Sequence, residues 1–277
     1  MKTGTFTGSN GSQRYYRAWL TETSARGRVV IVHGYAEHGD RYAEMASELN
    51  AIGFDVWAPD HYGHGLSEGK RADVPRFELF VEDLQLFTSS VVQADGKELP
   101  LFLYGHSMGG AIALLYTLQL QADLKGLILS GPVVRPGAQS SQAERRIGHI
   151  LRLISPSFKY LPFDPQKLSH DPEIVEAYIR DPMVYSNKMK IRMADELLRA
   201  EHLLSDKGLK GLSLPMLILH GGDDQVVLPS NSEVVFTLSS SSDKTRYVFE
   251  GMYHEIHNEP GRKEVFAKVR SWLEEHV

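Results

Sequence analysis

A mostly parallel α/β sheet covered by helices on both faces, interrupted by one helical insertion, is the fold this chain predicts, and three observations carry it. Short apolar runs alternate with segments of helical spacing along most of the length. Arg28 to Val32 is a run whose last four residues are all β-branched, which suits a strand buried on both faces of a parallel sheet. Leu101 to Gly110 joins an apolar, aromatic run to Gly105-His106-Ser107-Met108-Gly109, a Gly-x-Ser-x-Gly pentapeptide, and Ala111 to Gln121 then suits a helix.

In a strand-to-helix elbow the central serine is held in strained backbone, and side chains two before and two after it would meet neighbouring backbone; glycine removes the collision. The hydroxyl of Ser107 then points off the end of the sheet, near the positive end of the next helix, where a developing oxyanion is favoured. The competing reading is a serine that only caps a helix in a glycine-rich turn. A strand before the pentapeptide and a helix after it favour the elbow.

With 277 residues, 42% of them hydrophobic and 23% charged, the chain has the composition of a globular protein with a large core, read as one domain with an insertion. Its net charge of -5 gives no reason to expect nucleic acid or a strongly basic membrane-binding face. There is no cysteine, so disulfides, thiolate metal sites and a cysteine nucleophile are excluded. Met1 to Asn10 are polar and unlike a signal peptide, and no apolar run reaches the roughly 18 residues of a bilayer span, so a cytoplasmic location is expected.

Taken in order, Thr3 to Thr7 and Arg14 to Leu20 read as two strands around the turn Gly8-Ser9-Asn10-Gly11, the antiparallel edge of the sheet. After the strand at 28–32, Tyr42 to Ala51 has helical spacing, Phe54 to Ala58 is a strand, Phe77 to Gln93 is helical, Pro100 to Tyr104 leads into the elbow, and Gly126 to Ser130 is a further strand. The alternation stops between about Val133 and Leu209. No buried strand is expected there, and Arg145 to Ile154 and Pro172 to Arg180 read as helices. Residues 1–132 and 210–277 are therefore assigned to the core and 133–209 to a helical cap, or lid.

In the first cap helix Ile147, Ile150, Leu151 and Ile154 share a face opposite Arg145, Arg146, His149 and Arg152. Most of that apolar face is expected to pack against the core, with contact to substrate or, transiently, to a lipid surface as its other use. The core pattern resumes with the strand Leu214 to His220, a helix from Ser230 to Leu238 and a last strand, Arg246 to Phe249. Pro260 is expected to open a final helix striped by Val265, Phe266, Val269 and Trp272.

A serine hydroxyl is a weak nucleophile near neutral pH, so it needs a histidine to take its proton and an acid to hold that histidine in the right tautomer. In this architecture both come from loops after later strands, in the order serine, acid, histidine. Asp223 and Asp224 follow the penultimate strand, and His254 and His257 follow the last; spacing alone separates neither pair. A metal centre is the weaker reading of His33, His38, His61, His64, His254 and His257, because His254-Glu255-Ile256-His257 falls one residue short of the zinc-binding helix motif. No metal and no cofactor are expected.

His33-Gly34-Tyr35-Ala36-Glu37-His38 with Arg41-Tyr42, Asp60-His61-Tyr62-Gly63-His64-Gly65-Leu66-Ser67, Gly105-His106-Ser107-Met108-Gly109-Gly110 and Tyr253-His254-Glu255-Ile256-His257 together resemble the monoacylglycerol lipase family. The first two are more specific than the pentapeptide, and Asp171-Pro172-Glu173 and Tyr178-Ile179-Arg180-Asp181-Pro182 resemble bacterial members. The resemblance implies an α/β-hydrolase fold and hydrolysis of a small lipid ester, a monoacylglycerol; no stable protein partner is expected. It implies a catalytic set of Ser107, Asp224, the fourth residue of a Gly-x-x-Asp turn, and His254, the first histidine of its pair. It also implies an oxyanion hole from the backbone N–H groups of Tyr35 and Met108, and contacts to the glycerol end from Glu37, Arg41, Tyr178 and His257. The alternatives are a lysophospholipase or broad carboxylesterase and, in a different class, a non-catalytic binding module on the same scaffold.

Overall fold

The structure, a computed structural model, describes residues 1–22, 24–94, 96–136 and 142–277, with the side chains of 142–147 and 160 outside the description. In chain order the elements are β1 (Lys2–Thr7), β2 (Gln13–Trp19), β3 (Gly27–Val32), α1 (Ala43–Asn50), β4 (Phe54–Pro59), α2 (Glu78–Phe87), β5 (Leu101–His106), α3 (Met108–Leu120) and β6 (Gly126–Ser130). Then come α4 (Gln142–Ile154), β7 (Lys159–Leu161), α5 (Pro172–Arg180), β8 (Met189–Lys190), α6 (Ile191–Leu203) and α7 (Asp206–Leu209), before β9 (Met216–Gly221), α8 (Ser230–Leu238), β10 (Lys244–Phe249) and α9 (Arg262–His276).

Eight strands form one sheet in the order β1-β2-β4-β3-β5-β6-β9-β10. Only β2 runs against its neighbours, pairing antiparallel with β1 and β4, so the antiparallel edge lies at the N-terminal side as the turn at 8–11 implies. Every residue of β3, β5, β6 and β9 is buried, which accounts for their unbroken apolar runs. Within β3 the two-residue period still sorts the side chains: Val30 and Val32 join the core under α2 and α3, while Val29 and Ile31 join the core under α1 and α9. Each such side chain contributes about 1.5–3 kcal/mol by leaving water. The sheet is thus a rigid platform whose strand ends can hold loops to close tolerance.

Three expectations are corrected. Pro260 does not open the last helix: Gly261 stands at its N-cap and Arg262 begins it, because Pro260 lies in a turn closed by the Arg262 N–H on Glu259 O at 3.0 Å. A helix in the insertion, α6, was not expected; its signal lies in Met193, Leu197, Ala200 and Leu204, spaced four, three and four apart and all buried against the main core. The third concerns the apolar face of α4. Arg145, Arg146 and Ile147 lie outside the described side chains, but Ile150 and Ile154, with Leu153, are 55%, 76% and 73% exposed. Arg152 of the polar face turns inward instead, bonding Asp195 and Glu196 of α6, each at 2.5 Å, while His149 stays 62% exposed. Periodicity defines a face but not which face a neighbour with carboxylates will attract.

Candidate active site

The elbow forms as its sequence dictates. Ser107 sits at φ 54°, ψ -120°, a left-handed conformation costly for any side chain, and it joins the end of β5 to the start of α3. A Cβ on Gly109 would lie 1.9 Å from Val32 O, and one on Gly105 would lie 2.7 Å from Gly109 O, so both positions require glycine. The Ser107 N–H donates to Ser130 O at 3.0 Å, and its carbonyl accepts from Gly110 N and Val133 N at 2.9 and 3.0 Å. The strained residue is pinned from both sides.

Loops after β9 and β10 converge on it. His254 Nε2 stands 2.9 Å from Ser107 Oγ, and His254 Nδ1 stands 2.6 Å from Asp224 Oδ2. The other carboxylate oxygen, Asp224 Oδ1, accepts from Val226 N and Val227 N, both at 2.8 Å. Asp223 points to solvent and only its backbone N–H is engaged, on Met252 O. Of the two pairs that spacing left open, the structure brings Asp224 and His254 to Ser107.

Burial depresses the imidazolium of His254, but the adjacent Asp224 carboxylate outweighs it, and the pKa ends above the ordinary 6.5. Burial also opposes ionisation of Asp224, yet His254, with His220 beside it, holds that carboxyl below the usual carboxylate range. The partner missed by sequence reasoning is His220, the buried residue before Gly221, whose Nε2 donates to Val227 O at 2.8 Å and lies 3.2 Å from Asp224 Oδ2. As one more inward residue of a buried strand it gives no signal in the sequence. His106, from the pentapeptide, is kept neutral by burial and by the nearby rings of His254 and His257.

Tyr35 follows β3 in a tight turn with Ala36 at φ 68°, and Tyr35 and Met108 line the same cavity as Ser107. Behind the turn, Glu37 accepts from Gly34 N at 2.6 Å, from Tyr42 OH at 2.7 Å and from Arg41 Nη1 at 2.8 Å. Arg41 also forms a two-pronged pair with Glu255, at 2.5 and 2.6 Å, and its guanidinium lies 4.7 Å from the centre of the Tyr178 ring. Glu255 resists ionisation through burial, but Arg41 holds its pKa well below the usual carboxylate range. Glu255 reaches the cavity wall and was given no role from sequence; its place directly after His254 was the available signal.

Glu37 and Tyr178 line the cavity too, whereas Arg41 and His257 do not. His257 stacks on Tyr42 at 4.6 Å and meets the edge of His106 at 4.9 Å; burial lowers its pKa to about 3. The cavity has a volume of about 440 Å³. Its apolar lining includes Leu161, Phe163, Ile191 and Leu197 of the insertion and Val226 and Leu228 after β9, beside the polar Asp195 and Asn231. A nucleophile and its base therefore face a pocket of mixed lining, with the acid buried behind the base.

The chain matches known proteins over nearly its whole length. Residues 23–261 match the family described as serine aminopeptidase, S33. A monoacylglycerol lipase of Mycolicibacterium smegmatis is 34% identical, covering 98% of this chain and 96% of that protein. A monoglyceride lipase of Homo sapiens is 32% identical over 97% and 89% of the two chains. Among solved structures, Paleococcus ferrophilus monoacylglycerol lipase superposes with a TM-score of 0.83 at 30% identity, covering 95% of this chain and 99% of that one. The chain belongs to this family of α/β-hydrolases, with monoacylglycerol lipases among its relatives.

Proposed function

We propose that the protein hydrolyses monoacylglycerols to fatty acid and glycerol, with Ser107 as nucleophile, His254 as base and Asp224 as the acid that orients it. The observation that carries this reading is the unbroken row from Asp224 through His254 to Ser107 at the wall of a largely apolar cavity. His254 takes the serine proton as Oγ attacks the ester carbonyl, and Asp224 stabilises the imidazolium that forms. The tetrahedral oxyanion is met by the backbone N–H groups of Tyr35 and Met108, each worth on the order of 3 kcal/mol in comparable sites. His254 then returns the proton to the leaving glycerol, and water repeats the sequence on the acyl-enzyme.

The apolar wall supports an acyl chain, at about 0.8 kcal/mol per buried methylene. Glu37 and Tyr178 support the glycerol end, backed by Arg41 and His257. An aminopeptidase would need a free carboxylate for the ammonium of its substrate. The cavity carboxylates Glu37, Glu255 and Asp195 are each paired with an arginine, which favours an uncharged ester. Comparative rates on monoacylglycerols, diacylglycerols, lysophosphatidylcholine and short nitrophenyl esters test the reading. Monoacylglycerols are expected to turn over fastest; faster cleavage of the phospholipid would replace the substrate assignment, and failure of a fluorophosphonate to label the folded protein would favour a binding module.

Residues 133–209 act in this reading as a cap, and the exposed Ile150, Leu153, Ile154 and Phe158 support transient contact with a lipid surface. Replacing Leu153 and Ile154 together by glutamate is expected to slow hydrolysis of vesicle-borne monoacylglycerol about a hundredfold, since two apolar side chains entering lipid contribute about 3 kcal/mol to partitioning. The rate on a soluble ester is expected to stay unchanged. Equal losses on both substrates would dismiss the surface contact.

The base works only when neutral, so activity falls as pH drops through the pKa of His254. Because Asp224 raises that pKa above 6.5, the acid limb of kcat/KM is expected above 6.5, with His257, lowered to about 3, remaining neutral throughout. A limb centred at or below 6.5 would show that Asp224 does not charge-stabilise His254 in the free enzyme.

A further inference from the structure

Three consecutive residues of the insertion, Leu168, Ser169 and His170, touch the loop that carries His254 at four points. Leu168 O accepts from Glu255 N at 2.8 Å, and Ser169 Oγ donates to Asn258 O at 2.9 Å. His170 Nδ1 donates to the Glu259 carboxylate at 3.1 Å, and the His170 ring stacks on Tyr253 at 3.6 Å between centroids. These contacts fall on both sides of His254.

Glu259 is the centre of the arrangement. It is 1% exposed, and its carboxylate takes the Tyr253 N–H at 2.7 Å together with the backbone N–H and ring Nδ1–H of His170. A buried carboxylate is costly unless its oxygens are bonded, so Glu259 holds these donors in place and they hold it. One bond closes the base loop on itself directly before His254, and the others tie that loop to the insertion.

We propose that Leu168 to His170 form a strap through which the insertion sets the position of His254, with His170 and Glu259 as positioning residues for the base. This rests on the reading of His254 as base. The reach from Nε2 to Oγ must be held to a fraction of an ångström, and displacement of about 1 Å costs on the order of a hundredfold in rate. Movement of the insertion is thereby coupled to competence of the site, not only to access.

The test uses the full chain with His170→Ala, Glu259→Gln and the double variant, measuring kcat and KM on a short nitrophenyl ester, the rate of fluorophosphonate labelling, and Tm. His170 is 42% exposed at its side chain, so its removal leaves the core packed. Glutamine keeps an acceptor for Tyr253 but sets an N–H₂ group against the donors of His170. Each single variant is expected to lose about tenfold in kcat and in labelling rate with KM changed less than about twofold, and the double variant to lose less than the product of the two, because both weaken the shared contact between the His170 ring and Glu259. Lowered Tm with unchanged kcat, or losses that multiply in the double variant, would overturn the strap. A wild type that neither turns over nor labels would instead remove the base itself, and the two failures are distinct.

Discussion

Ser107→Ala is expected to abolish ester hydrolysis, lowering kcat about a millionfold, as removal of the nucleophile does in comparable triads, and to end fluorophosphonate labelling. The expectation follows from the elbow: the backbone at φ 54° holds one hydroxyl 2.9 Å from the base, and alanine keeps that backbone while removing the attacking atom. The fold should persist, because Oγ is bonded to His254 Nε2 and its loss removes one hydrogen bond, worth about 1 kcal/mol. Steady-state rates beside a thermal melt decide the matter. A residual rate within about a hundredfold of wild type, in a folded protein, would mean that another group attacks the ester.

What could be read from sequence depended on whether the physics was local. The elbow was legible because glycine at 105 and 109 answers backbone collisions within a few residues, and the sheet because β3, β5, β6 and β9 are buried on both faces and show it as unbroken apolar runs. Spacing could not choose between Asp223 and Asp224, because what distinguishes them is which one reaches His254, seen as exposure of one and burial of the other. The orientation of α4 failed for the same reason, since the carboxylates of Asp195 and Glu196 that draw Arg152 inward lie more than forty residues away along the chain. Glu255 and Glu259 carry no role that sequence spacing could assign. Only the approach of Arg41 to one and of His170 to the other gives them buried places.

Asp224→Asn is expected to cut kcat/KM about ten-thousandfold, whereas Asp223→Asn stays within about twofold of wild type. The asymmetry comes from the donors around Asp224. One oxygen faces His254 Nδ1 and the other faces two backbone N–H groups, of Val226 and Val227, so every neighbour is a donor and both carboxylate oxygens must accept. Asparagine has one acceptor for these two directions. If its N–H₂ faces the ring, His254 must offer a bare Nδ1 and carry its proton on Nε2, where it cannot take one from Ser107. If the amide is flipped, its N–H₂ collides with the two backbone donors and the loop after β9 must move. Either way the charge that lifts the pKa of His254 is gone, so whatever activity remains should show its acid limb shifted downward. At residue 223 the side chain is in water and only the backbone N–H is bonded, on Met252 O, a contact asparagine keeps. Kinetics of the two variants over pH separate the cases: a greater loss at 223 than at 224 would place the orienting carboxylate one residue earlier, and an unshifted acid limb in Asp224→Asn would mean that the charge of Asp224 does not reach the base.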